Sequence, residues 1–168
     1  MFRISHLFMV ASAAALLMAP QAYAQTKLTS EMAMAAARAV QTYAKNDGSD
    51  PSTVVLDTNG DIVLQLKGNN AAPHNIGLAE RKAYTANMFK MKSIEWRDVS
   101  MPGKDRADER KMPKVIPLGG GVPIMVGNEV IGAVGVSGTR GGQEGDTAGA
   151  QAGADAAAAL AQRPVAQN

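Results

Sequence analysis

Thr53-Val-Val-Leu-Asp57-Thr-Asn59-Gly60-Asp-Ile62-Val-Leu64-Gln-Leu66-Lys67 decides how the rest of the chain is read. Two runs rich in β-branched and aliphatic residues flank Asn59-Gly60, a pair that tolerates the positive φ angles of a tight hairpin turn. A two-residue hairpin is therefore predicted. In its second arm Ile62, Leu64 and Leu66 alternate with Val63, Gln65 and Lys67, which places one face on a core.

Upstream, Leu28-Thr29-Ser30-Glu31 has the marks of a helix start, with a hydroxyl cap, an apolar residue before it and an acid in the first turn. Met32, Ala36, Val40 and Tyr43 recur at helical spacing until Asp47-Gly48 and Pro51 stop them. Downstream, Gly68–Pro73 reads as a loop. A second helix from His74 to about Lys90 carries Ile76, Ala79, Ala83 and Ala86 on one side, small enough to lie close on a sheet. Ser93–Pro113 mixes Trp96 with alternating charges and reads as a solvated helix or loop.

From Val115 onward the chain is Gly-rich strand sequence. One strand is expected at Lys114–Leu118, then Gly119-Gly120-Gly121, a strand at Val122–Val126, a turn at Gly127-Asn128 and a return arm at Glu129–Ser137. Gly132 and Gly135 in that arm leave no side chain, which signals a close approach by a helix, a ligand or another backbone. Asp146 is placed as the cap of an Ala-rich helix running to about Ala161, and residues 163–168 as a fraying tail. The order α-β2-α-β3-α lacks the strand-helix alternation of a doubly wound sheet. An α/β domain of the α+β type, an antiparallel sheet with packed helices, is expected.

The first 24 residues read as an export signal: Arg3, an apolar run from Leu7 to Met18, and the small-x-small site Ala22-Tyr23-Ala24. Cleavage after Ala24 leaves a single domain, 25–168, expected in the periplasm or outside the cell and without a membrane anchor. The chain has no cysteine. Thiolate chemistry, Cys-based zinc sites and covalent haem attachment are thereby excluded. Lys plus Arg is 17 against 15 for Asp plus Glu. That balance, with few aromatics, argues against a nucleic acid or an anionic membrane as partner.

No stretch forms a phosphate loop: none is Gly-x-Gly-x-x-Gly, none has Gly-Lys-Ser/Thr, and Gly119–Gly121 precedes a strand. Ser137 in Gly135-Val-Ser137-Gly138 lacks the spacing of a nucleophile elbow, and beyond the signal only His74 is available to a triad. One imidazole does not build a zinc site without several carboxylates. It suffices as an axial ligand to haem iron. The alternative for His74 is a structural one, in which it bonds backbone and shapes the turn after Pro73. Met88, Met91, Met101 and Met112 are either further iron ligands or gap fillers. Arg81, Lys82, Arg97 and Arg106 either meet propionates or stay solvated.

Leu118-Gly-Gly-Gly-Val-Pro-Ile124, Val130-Ile-Gly-Ala-Val-Gly-Val-Ser-Gly138 and Asp146-Thr-Ala-Gly-Ala-Gln-Ala-Gly153 together resemble the GlcG/HbpS family, the haem-binding-protein-like group. Gly68-Asn-Asn-Ala-Ala-Pro-His74 and Arg81-Lys-Ala-Tyr-Thr-Ala86 are similar to its first block, so the resemblance spans almost the whole mature chain in order. It implies a profilin-like or PAS-like fold around a five-stranded antiparallel sheet, commonly in homo-oligomers. For some members it implies binding of haem or iron, occasionally with haem breakdown. Two departures stand out: Met91-Lys92-Ser93 where the family often has Pro-Thr, and Gly149 where it usually has Cys. Pro73-His74 is similar to a pair found in a subset of exported relatives, so the resemblance sets a metal-ligand role for His74 level with the structural one.

The expected function is thus an exported binding protein for haem, a related tetrapyrrole or iron. His74 would ligate the metal, Arg81 and Lys82 would lie by the propionates, and Gly119, Gly120 and Gly121 would let a flat ligand come close. Two rivals remain at this stage. One is a weak haem-degrading enzyme using Lys82, Tyr84 or Asp146 as acid-base groups. The other is an oligomeric accessory or sensor partner with no ligand of its own.

Overall fold

The computed structural model describes residues 27–162; residues 1–24, expected to be an export signal, and 163–168, expected to be a fraying tail, lie outside the described residues. In chain order the elements are α1 (Ser30–Asp47), β1 (Ser52–Asp57), β2 (Ile62–Leu66), α2 (Asn75–Phe89), α3 (Ser93–Val99), a 3-10 turn (Ala107–Lys111), β3 (Gly121–Val126), β4 (Glu129–Ser137) and α4 (Gly142–Ala161).

Capping chemistry sets the bounds of α1. Thr29 Oγ1 accepts from the Met32 amide at 3.2 Å, and Gly48 closes the helix at φ 68°. Beyond it, the Asp47 carboxylate accepts from the Ser49 hydroxyl and from the backbone amides of Ser49 and Arg140. The Ser49 hydroxyl foremost holds the Asp47 carboxyl below the usual carboxylate range, against the opposing pull of burial.

The four strands form one antiparallel sheet in the order β2-β1-β4-β3. Among the described residues four strands, not five, make the sheet, because Lys114–Leu118 pairs with none of them. That segment lies along α2, where its backbone groups meet side chains: Ile116 donates to Thr85 Oγ1 at 2.9 Å and Val115 O accepts from Arg81 Nη2 at 2.8 Å. Pro117 has no N–H to give a ladder. The β1–β2 connection is also longer than two residues. Gly60 N donates to Asp57 O, Asp57 N donates to Asp61 O, and Gly60 sits at φ 85°. This is a type I turn followed by a left-handed glycine, and the Asp57 carboxylate secures it by accepting from the Asn59 and Asp61 amides. The β3–β4 turn is the predicted two-residue one, with positive φ at Gly127 alone among its pair, the type II′ pattern.

Helices cover both faces. α1 and α4 pack on Val55, Val122, Ile124, Ile131, Val134 and Val136. α2 packs on Val54, Leu56 and Ala133 through Ala79, Ala83 and Ala86, each 0 % exposed. Burying each such Val, Leu or Ile contributes roughly 1.5–3 kcal/mol, so the two layers supply the bulk of the driving force. α4 begins at Gly142, four residues before the expected cap Asp146, which leaves Asp146 inside the helix. Its carboxylate still serves cap-like amides, those of Gly138 and Thr139 in the preceding loop. Among the described residues no helix is long and apolar enough to cross a membrane.

Candidate functional site

α2 carries the functional candidates on two neighbouring stripes. His74 stands at its N-terminal boundary in helical conformation (φ −79°, ψ −16°), and its side chain makes no capping bond. The ring is exposed, and only its backbone carbonyl is engaged, by the Leu78 amide. Arg81 follows seven residues later, so the two lie within about 20° of one another around the helix and about 10 Å apart along it. Arg81 is exposed, and its one bond, to Val115 O, leaves most of its five donors open to solvent.

The adjacent stripe, Ala79, Lys82, Ala83 and Ala86, faces the sheet, and it takes Lys82 into the interior at 2 % exposure. There Lys82 Nζ donates to Asp146 Oδ2 at 2.6 Å and to Val136 O at 3.1 Å. Asp146 Oδ1 accepts from Gly138 N, Thr139 N and Thr139 Oγ1 at 2.9–3.0 Å. One buried ion pair thus ties α2, the end of β4 and α4 together. Lys82 is spent in this knot and does not reach the surface that His74 and Arg81 share.

Gly119, Gly120 and Gly121 border the knot. A Cβ on Gly121 would lie 1.9 Å from Lys82 O; one on Gly120 would lie 2.6 Å from Val136 O and 2.9 Å from Lys82 Cδ. At Gly119 the Gln143 carbonyl and Ile94 each stand 3.0 Å away. The space at the three glycines is therefore filled by β4, α2, α3 and α4. Two of their amides are used as well: Gly119 N donates to Gln143 Oε1 and Gly121 N to Ser93 Oγ. Tyr84 is remote from Asp146, with its ring against Gly60 and under Lys114 Nζ at 5.7 Å.

The segment Ser93–Val99, read above as solvated, forms α3 around a fully buried Trp96 stacked on Phe89 at 4.8 Å. Arg106 covers the other partner of that stack, 4.8 Å from the Phe89 centroid. Its charges do stay outside: Arg97 Nε donates to Asp98 at 2.8 Å and so holds that carboxyl below the ordinary range. Three hollows, of about 420, 250 and 400 Å³, open at the β3–β4 turn, beside Pro51 and between α1 and α4; neither His74 nor Arg81 lines any of them. Among the described residues no three His, Asp or Glu side chains cluster as a metal cage.

The pairing of Lys82 with Asp146 was not legible from spacing, since 64 residues separate them. One signal does stand in the sequence: a lysine interrupts the Ala79-Ala83-Ala86 stripe, and a buried ammonium requires a partner.

Similarity to known proteins follows the same elements. The family described as haem degrading protein HbpS-like matches residues 28–155. Protein GlcG of Escherichia coli strain K12 is 32 % identical over 110 residues, 66 % of this chain and 81 % of that protein. An uncharacterised 15.0 kDa protein from the dhaT-dhaS intergenic region of Citrobacter freundii is 31 % identical over 86 residues, half of this chain, which spans 61 % of that relative's length. Among solved structures, a double mutant of Streptomyces reticuli HbpS superposes with a TM-score of 0.72 at 29 % identity, covering 87 % of this chain and 97 % of that one. A PduOC–haem complex superposes at 0.70 and 26 % identity, over 77 % and 94 %. The chain belongs to the HbpS-like family.

Proposed function

We propose that this protein, exported after cleavage behind Ala24, binds haem or a related iron tetrapyrrole through His74. The observation that carries the reading is the exposed imidazole at the α2 boundary, free of any capping bond, with Arg81 on the same side of the helix. Haem chemistry suits that pair: an imidazole supplies one axial bond, and a guanidinium suits a carboxylate such as a propionate. The similarity to a PduOC–haem complex and to HbpS supports the ligand class.

His74 and Arg81 form the contact surface, and Lys82 with Gly119–Gly121 acts beneath it by fixing α2 on the sheet. A ligand on an open face buries less than the roughly 70–90 % of its surface that tight pockets enclose. The iron–imidazole bond must then carry most of the affinity. Hemin titrated into the mature protein is expected to give a shifted Soret band, with His74→Ala weakening binding by at least about tenfold and Arg81→Ala by about threefold. Identical spectra and affinity for wild type and His74→Ala would overturn the assignment. The reading is of a binding protein, because the two acid-base groups brought into contact, Lys82 and Asp146, are sealed from solvent.

A further inference from the structure

We propose that the hollow at the β3–β4 turn binds a small aliphatic zwitterion, an amino acid or a short peptide, with the ligand's carboxylate on Lys90 and its ammonium on Glu129. The hollow measures about 420 Å³ and is lined by Lys90, Met125, Asn128, Glu129 and Val130. That volume lies in the range of small-molecule sites. Its floor is the stretch of sheet left bare where α2 stops at Phe89. The β3–β4 ladder shifts register between Ile124 and Met125, which makes Ile131 the extra residue. Ile131 turns into the core, and Val130 comes directly opposite Met125 on the α2 side. Met125 is 39 % exposed there. The two side chains give the hollow an apolar base under a charged rim.

The rim selects the ligand. Lys90 and Glu129 are both exposed, and neither forms an ion pair with the other or with any other described residue. A ligand with one charge satisfies one of them, whereas a zwitterion answers both. The Asn128 carboxamide can donate to a carboxylate and accept from an ammonium. The backbone at Lys90 is a second, independent mark. It stands at φ 52° in the left-handed cap of α2, a position that favours glycine. Lys114, the other non-glycine residue at positive φ among the described residues, has Glu80 and the Tyr84 ring to hold its ammonium. Lys90 has no such partner and lines the hollow instead. Strain kept without a structural return points to a role for the side chain. His74 lies at the opposite end of α2, about 24 Å away along the helix, so the two sites succeed or fail separately.

Titration of L-leucine and of L-leucyl-L-leucine into the mature protein, followed by the Met125 methyl signal in NMR, tests the assignment. At least one of them is expected to saturate with a Kd on the order of 0.1–1 mM, and the tighter of the two tells a free amino acid from a peptide. Blocking one charge of that ligand, as its amide or its N-acetyl form, should weaken binding at least about fivefold. Lys90→Gly should abolish the difference between acid and amide, and Glu129→Gln the difference between free and N-acetylated amine. Lys90→Gly should also raise Tm by about 2 °C, because glycine takes the left-handed cap without strain, so its lost binding is not misfolding. No movement of the methyl signal with either ligand up to about 10 mM, or variants that bind and discriminate as the wild type does, would overturn the proposal.

Discussion

Asp146→Asn is expected to cost about 3–5 kcal/mol of folding stability, a large share of the roughly 5–15 kcal/mol that a domain of this size possesses. The substitution is nearly isosteric, and the new carboxamide oxygen can still accept from Gly138, Thr139 N and Thr139 Oγ1. What changes is the other side, where an amide N–H₂ would confront the Lys82 ammonium, 2.6 Å from the present Oδ2. A buried cation would then keep a single acceptor, Val136 O. Asp146→Ala should be worse, because it also orphans two backbone amides and a hydroxyl, each lost acceptor adding about 1–3 kcal/mol. Lys82→Met should be milder than Asp146→Ala, since the carboxylate it leaves behind retains three donors. Urea denaturation of the four proteins tests this ordering through the transition midpoint at constant slope. Asp146→Asn with a wild-type midpoint would show that the pair contributes no net stability.

The same knot explains how an exposed site is held rigid. His74 has no side-chain anchor of its own, so its position is that of the first turn of α2. α2 is fixed at its middle by Lys82 and along its inner stripe by alanines whose methyl groups allow its backbone to touch the sheet. If His74 ligates haem iron as proposed, softening the knot is expected to weaken hemin binding without touching the imidazole, through looser placement of the helix end.

Local chemistry made much of the fold legible in the sequence. Thr29 and Gly48 bracket α1 because their roles need only neighbours three or four residues away. Alternation and turn residues found both hairpins, although the Asp57 carboxylate, whose bonds to the Asn59 and Asp61 amides were not foreseen, accompanies a wider first turn. Failures arose where distant partners decide. Val115 and Ile116 have strand-like composition, yet Arg81 and Thr85 claim their backbone before a neighbouring strand does. Ser93–Pro113 looked solvated because its charges outnumber its apolar residues; one Trp96 in contact with Phe89 was enough to dock its first helix. At the candidate site His74 was visible as the lone imidazole, whereas the burial of Lys82 depends on a carboxylate from another helix.

Gly135→Ala and Gly121→Ala are expected to lower stability by at least about 3 kcal/mol each, near 10 °C in Tm, or to prevent soluble folding altogether. The glycines inside β4 signalled a close approach, and the atoms that approach are now identified. A Cβ on Gly135 would stand 1.9 Å from Ala79 O and 2.8 Å from Ala83 N, while one on Gly121 would stand 1.9 Å from Lys82 O. All three are backbone atoms of α2, so no rotamer change relieves the overlap. The helix would have to lift from the sheet, separating Ala79, Ala83 and Ala86 from Val54 and Leu56 and stretching the Lys82–Asp146 contact. Gly77→Ala is the matched control on the same helix: nothing lies within 4 Å of its added methyl, and alanine removes backbone freedom from the unfolded chain. It should raise stability by about 0.5–1 kcal/mol. Thermal unfolding of the three variants separates close packing from general intolerance of α2 to change; a Gly135→Ala midpoint within a degree or two of wild type would mean that α2 rests further from the sheet than 1.9 Å implies.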